Sequence, residues 1–388
     1  MEKEVAIVAV GQTPFARRSG ASIGEMCFSA FREAIPDRAG PLGAAIDALV
    51  VCSASEYDRQ RSPAGVVAES LGLSGRPTFN VESLCSSGSS GLRTAYGLIR
   101  SGLHDVVAVV GFQKLSDLSS AEVAERMGRS GDVMWESPFG LTQPAGFALF
   151  AQAHMAAYGT SEADLAEVRA KNSRYAVSNE KAAYRKPFTV AEVLASAPVV
   201  SPLKMLDCCA NADGAVVLIV AAREAARRCC DRPVWILGMG AASDSATLSN
   251  RASFSSLGSA RAAAQQAYRM AGVGAADIDV ACVHDCFTIS EIIAYEDLGF
   301  APPGGGVALL RSGATSLGGR IPVNVDGGLL GKGHPVGATG LSQLRTITRQ
   351  LRGEGGATQV EGARLGVVHN LGGPGIYAFV TILGSDEL

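Results

Sequence analysis

The 388-residue chain, of 39.9 kDa, exceeds the usual single-domain size and predicts two domains or a doubled unit. Hydrophobic residues at 47% and charged residues at 18% exclude a disordered chain and predict extensive burial. A net charge of −3 gives no basic field, so no nucleic-acid partner is expected. The apolar runs are too short to span a bilayer, so no membrane insertion is expected either.

In chain order, the first apolar run, Val5–Val10, reads as a strand, with no small-residue cleavage site after it. Further buried strands are predicted at Ala48–Cys52, Val106–Val110, Val216–Val220, Val234–Met239, Val280–Val283, Leu365–Val368 and Ala378–Leu383. Helical patterns between them suggest parallel strands joined by crossover helices. A weak repeat runs through the set. Val5–Val8 resembles Val234–Leu237, Ile46–Cys52 resembles Ile278–His284, and Ala108–Gly111 resembles Gly366–His369. Three pairs in the same order favour a duplicated α/β domain.

Residues 117–194 break the pattern with Met127, Met134, Trp135, Phe139, Phe147, Phe150, Tyr158 and Tyr175. They read as an inserted, helical and loop-rich domain. Residues 1–116 and 195–232 then form an N-terminal half, and 233–388 a C-terminal half. The insertion is either a lid, with Met134 and Phe147 as candidate substrate contacts, or a small core of its own. The nine cysteines are odd in number, without an export signal or a Cys-x-x-Cys pair. They read as reduced thiols of a cytoplasmic protein, with no metal expected. Cys208 and Cys209 read as core.

Four segments carry chemistry. Cys85, in Asn80-Val81-Glu82-Ser83-Leu84-Cys85-Ser86-Ser87-Gly88, falls where an extended stretch meets a helix containing Leu92, Ala95, Tyr96 and Ile99. A helix N-terminus favours thiolate and is expected to lower its pKa; an inert core cysteine is the alternative. His284-Asp285-Cys286-Phe287 follows a strand, where open α/β sheets build their sites. The loop Asn324–Gly340 holds Gly333-His334-Pro335 and Gly337, and its many glycines demand unusual backbone angles or a closely held ligand. His369-Asn370-Leu371-Gly372-Gly373-Pro374-Gly375 offers backbone N–H groups for an oxyanion hole, or simply turns between the last strands.

The ordered set resembles the thiolase superfamily, most closely its sterol-carrier-protein-type branch. Tyr158-Gly159-Thr160 and Asp213-Gly214-Ala215 also resemble family landmarks. The resemblance implies a thiolase fold: two five-stranded α/β halves in α-β-α-β-α layers with an inserted loop domain. It implies a homodimer or homotetramer, and leaves room for a small partner protein. It also implies an acyl-CoA:acetyl-CoA C-acyltransferase, making or cleaving 3-oxoacyl-CoA. In that scheme Cys85 carries the acyl group and His334 is its base. His284 and His334 hold the enolate oxygen, and Cys286 moves the α-proton. N–H groups of Cys85 and near Leu371–Gly372 hold the acyl oxyanion, while Gly333 and Gly337 border the substrate. Acyl-CoA thioesters and CoA are substrates, and no cofactor is expected. One departure marks the branch: His369 stands where other thiolases have a second catalytic cysteine. A retro-aldolase acting on a β-hydroxyacyl-CoA and a non-catalytic CoA- or partner-binding subunit are the rivals. Intact Cys85, Cys286, His284 and His334 count against both.

Overall fold

The computed structural model describes residues 4–386. Its strands are β1 (Val5–Gln12), β2 (Ala48–Cys52), β3 (Thr78–Val81), β4 (Val106–Gln113), β5 (Pro198–Val200), β6 (Leu203–Lys204), β7 (Gly214–Ala222), β8 (Val234–Ser243), β9 (Val280–Cys282), β10 (Leu365–Gly372) and β11 (Tyr377–Gly384). All eight strands expected from the apolar runs are present. Beyond them lie β3, which is the extended stretch expected before Cys85, and the small β5–β6 hairpin.

The main sheet runs β3-β2-β4-β7-β1-β8-β11-β10-β9. β1 and β8 meet only through Ala6 with Trp235 and Ile7 with Val234, so the sheet is two halves touching at one seam. The strand orders on either side of that seam mirror each other. β1, β2 and β4 occupy the same places as β8, β9 and β10, which are the pairs matched in sequence. The fifth place of the second half is a single bridge: Val323 pairs with Ala281 beside β9, as β3 pairs with β2. Strand direction differs from expectation, because β4–β7, β7–β1 and β10–β11 are antiparallel. A strand covered on both faces is apolar throughout whichever way its neighbour runs.

The halves stack as α-β-α-β-α layers. The Ile23–Ala34 and Pro63–Ser70 helices cover the first sheet half. The Gly258–Ala271 and Thr288–Asp297 helices cover the second. Between the halves lie the Ser87–Arg100 and Thr339–Leu351 helices, packing Leu92, Ile99, Leu341 and Leu344 against Val50, Val109, Val280 and Val368. Helices come unusually close to strands. A Cβ at Gly240 would sit 1.8 Å from the Ala263 carbonyl oxygen, and one at Gly11 would sit 2.1 Å from that of Ala30. That close approach explains the alanine-rich helix Gly258–Ala271.

The segment 117–194 forms the helices Ser120–Gly128, Gln143–Tyr158, Glu162–Ser178 and Val190–Leu194. Phe147 and Phe150 join the core of the second half, whereas Met134, Trp135 and Phe139 are exposed. Among the described residues no helix is long and apolar enough to cross a membrane.

Candidate active site

The central helices place the chemistry. Cys85 immediately precedes Ser86, the N-cap of the Ser87–Arg100 helix. His334 precedes the Thr339–Leu351 helix by one short turn, Val336–Ala338. Leu84, with φ +54°, and Asn324, with φ +55°, are the non-glycine residues in left-handed conformation among those described. Each opens a loop that carries a candidate site residue, Cys85 or His334, and strain of this kind persists only where its surroundings hold it.

Cys85 Sγ and ring nitrogens of His284 and His334 lie within 4.8 Å of one another. They line a cavity of about 370 Å³ together with Cys286, Phe147, Phe287 and Gly373. Phe147 stacks on Phe287 with centroids 4.6 Å apart. Cys208 and Cys209, expected in the core, also line this cavity. The Cys209 N–H donates to the Cys286 carbonyl (2.8 Å), and the His334 N–H donates to that of Ala210 (3.0 Å). One short segment therefore braces the loops that carry Cys286 and His334.

Hydrogen bonds assign opposite roles to the two histidines. Thr339 Oγ1 donates to the Pro335 carbonyl (3.0 Å) and so accepts from His334 Nδ1 (2.7 Å). His334 therefore carries its proton on Nδ1 and presents the Nε2 lone pair as a base. Asn370 takes the Ser89 hydroxyl on its Oδ1 (2.9 Å). Its Nδ2 donates to the Cys85 carbonyl (3.3 Å) and to His284 Nδ1 (2.9 Å). His284 must then hold its proton on Nε2, a buried atom with no hydrogen-bond partner. One imidazole is a poised acceptor and the other a poised donor.

Burial pushes the Cys85 thiol up to about 12, although N–H groups of Gly373 and of Cys85 itself pull it down. This overturns the expectation of a lowered pKa: desolvation outweighs the helix terminus. It also identifies Gly373, beyond Leu371 and Gly372, as the amide that reaches the Cys85 side chain. Leu371 and Gly372 are buried in β10. Burial depresses His334 to about 4 and pushes His284 well below its usual range, with His334 and His369 adding to the effect on His284. The Cys286 thiol, 3.6 Å from Ser290 Oγ, is driven well above its usual value by burial. His369 is buried without a partner on either nitrogen and does not line the cavity. Met134 is exposed and outside the cavity, and Gly333 and Gly337 are buried in the His334 loop without lining it.

Asp285, to which no role was read from sequence, points away from the cavity. Its carboxylate accepts from the Leu329 N–H (2.7 Å), the Leu330 N–H (3.3 Å) and Asn172 Nδ2 (2.8 Å). It thereby ties the His284–Cys286 loop to the turn that leads into His334. Burial, with Glu291 nearby, pushes the Asp285 carboxyl above the usual carboxylate range. Lys171 balances Glu291 at 2.8 Å. A Cβ at Gly328, whose φ is +59°, would lie 2.1 Å from the Asp285 carboxylate, so only glycine fits there. Asn370 and Thr339 were also missed. Their signal was a polar residue inside an apolar strand and a hydroxyl one helical turn past Pro335.

Among the described residues, Cys85, His284 and His334 are the cluster of potential metal-donor side chains close enough to share an ion, a thiol with two imidazoles suited to a soft cation. The same atoms suit acyl transfer: a nucleophile beside a base, backbone N–H groups beside the nucleophile, and an unpaired donor opposite.

Comparison with known proteins agrees with that chemistry. Residues 5–196 match the family described as "Thiolase, N-terminal domain", and residues 240–385 match "Thiolase C-terminal domain-like". An acetyl-CoA acetyltransferase of Methanothermobacter thermautotrophicus is 38% identical over 382 residues, covering 98% of this chain and 99% of that protein. Sterol carrier protein 2 of Rattus norvegicus is 33% identical over 384 residues, covering 95% of this chain and 70% of that one. A solved structure described as "Ltp2-ChsH2(DUF35) aldolase" superposes with a TM-score of 0.84 at 26% identity, covering 99% of each chain.

Proposed function

The chain belongs to the thiolase family, and from that premise we propose that it makes or cleaves 3-oxoacyl-CoA by reversible Claisen chemistry through an acyl group on Cys85. The observation that carries this reading is the pair of opposed imidazoles around the Cys85 sulfur.

Condensation follows with every proton accounted for. As Cys85 Sγ attacks the first thioester carbonyl, His334 Nε2 takes the thiol proton. The N–H groups of Cys85 and Gly373 stabilise the tetrahedral oxyanion. CoA departs as its thiolate and takes a proton from Cys286. Cys286 is then a thiolate in a buried site that disfavours charge, hence a strong base. It removes the α-proton of the second acetyl-CoA. His284 Nε2–H and the newly protonated His334 Nε2 hold the enolate oxygen. The enolate carbon attacks the acyl carbonyl, the Cys85–acyl bond breaks, and His334 returns its proton to Cys85. Thiolysis is the same sequence reversed.

The test is to incubate the protein with acetyl-CoA, quench in acid and map the adduct by mass spectrometry. Acetylation confined to Cys85 is expected, with CoA-dependent cleavage across a panel of 3-oxoacyl-CoA thioesters. No adduct, or one on another cysteine, refutes the reading. A retro-aldolase acting on a β-hydroxyacyl-CoA is the second reading, favoured by the likeness to the aldolase complex. It requires no acyl-enzyme, so the same experiment separates the two. The name of that complex also motivates a search for a DUF35-type partner, by co-purification. A homodimer is supported by β3, an edge strand with Phe79 partly exposed; sedimentation tests it.

A further inference from the structure

A second cavity, of about 770 Å³, adjoins the catalytic one and shares Ser120, Val123 and Asn211 with it. Its chemistry is different. Arg17, Arg18, Ser116 and Tyr184 line it, where the catalytic cavity has thiols and apolar side chains. The shared rim is close to the reacting atoms, because Asn211 is bridged to His334.

The arginine pair sits on a loop fastened at both ends to one residue. Before it, Ala16 exchanges backbone hydrogen bonds with Asp213 (3.1 and 2.7 Å). After it, the Ser19 N–H donates to the Asp213 carboxylate (2.7 Å). Ser116 occupies that carboxylate further, through its N–H (3.0 Å) and its hydroxyl (2.5 Å). Asp213 is thus used up in holding the loop. Among the described residues neither Arg17 nor Arg18 forms an ion pair with a carboxylate. Arg17 acts electrostatically on Tyr184. Two arginines without carboxylate partners, lining one cavity from a braced loop beside hydroxyls, suit an anionic group.

The geometry points to this cavity as the binding site for an anionic group of the thioester substrate. Resting on the thiolase reading above, it extends that reading by naming the substrate class: a thioester whose acyl chain ends in a carboxylate that reaches past Ser120 and Asn211. The cavity opens beside the reacting atoms, whereas the pantetheine arm carries the CoA phosphates away from them, so the anion is the one that ends the acyl chain.

The double variant Arg17→Gln/Arg18→Gln tests it against four thioesters. These are acyl chains of equal length with and without a terminal carboxylate, each on CoA and on pantetheine, which lacks the nucleotide phosphates. The expected result is a KM rise of about tenfold or more, equivalent to about 1.4 kcal/mol, confined to the carboxylate-ended chains, on CoA and on pantetheine alike. Confinement to the CoA thioesters, an equal change for all four thioesters, or none, overturns the proposal. Calorimetry with glutarate and with inorganic pyrophosphate, on wild type and variant, reads the site without catalysis. If wild type fails to acylate Cys85 yet binds glutarate in an arginine-dependent way, the thiolase reading fails and the anion site stands. Absence of glutarate binding by wild type, with the thioester pattern flat, removes the site alone.

Discussion

Asn370→Leu tests the tautomer argument directly. Asn370 is fully buried and makes contacts to His284 Nδ1, the Cys85 carbonyl and the Ser89 hydroxyl. Leucine fills similar space and supplies none of them. Leaving buried polar atoms unpaired costs about 1–3 kcal/mol each, but Ser89 can turn to a carbonyl of its own helix. A net stability loss of about 2–4 kcal/mol follows, lowering Tm by roughly 2–5 °C in a protein of this size. The catalytic effect is more specific. Without the Asn370 donor, nothing holds the His284 proton on Nε2, and the enolate loses a preorganised donor. Such a loss costs about 10²–10³ in kcat, or ~2.7–4 kcal/mol. The acyl oxyanion depends on backbone N–H groups instead, so acylation survives. Rapid mixing with acetyl-CoA should therefore give a burst of CoA release near wild type, followed by steady-state condensation slowed about 10²–10³-fold. Thr339→Val, which frees His334 Nδ1, should weaken the burst itself. A folded Asn370→Leu protein with steady-state kcat within tenfold of wild type would refute the assignment, as would equal loss of burst and turnover.

Cys286→Ala should still acylate Cys85 but slow carbon–carbon bond formation about 10²–10⁴-fold, and acetyl-CoA α-proton exchange in D₂O should slow with it. Wild-type exchange would move the proton transfer to another group. His334 must be neutral to act as base, and burial holds it near 4. Activity is therefore lost as pH falls through about 4, and kcat/KM should stay level from pH 8 to pH 5.5. An acid limb near 6.5 contradicts the depressed pKa. Asp285→Asn should lower kcat more than it raises KM, because it loosens two catalytic loops without touching substrate; a pure KM effect counts against it. Zinc at micromolar levels should inhibit reversibly through Cys85, His284 and His334, with chelator restoring activity. Unchanged inhibition in His284→Ala would place the ion elsewhere.

The amino-acid sequence by itself determined the strands, the duplication and the loops that carry Cys85, His284, Cys286 and His334. The eight main strands were legible because each buries both faces and so reads as an unbroken apolar run. The loops were legible because glycine clusters and strand-end polar residues are local features. What lay beyond local reach depended on groups far apart in the chain. An apolar run does not record the direction of its neighbour, so the antiparallel pairs around β7 were invisible. β3, edge-placed and partly exposed, carried no such run. The roles of the two histidines rest on Thr339 and Asn370, and the tautomers follow only once those partners are in place. The Cys85 pKa went the opposite way from the helix-terminus argument because side chains from the whole cavity remove water from the thiol. Met134 and Phe147 looked alike in sequence, yet packing against Phe287 draws Phe147 into the cavity and leaves Met134 in solvent. Desolvation and hydrogen-bond partnership are properties of assembled surroundings, and only the tertiary structure assembles them.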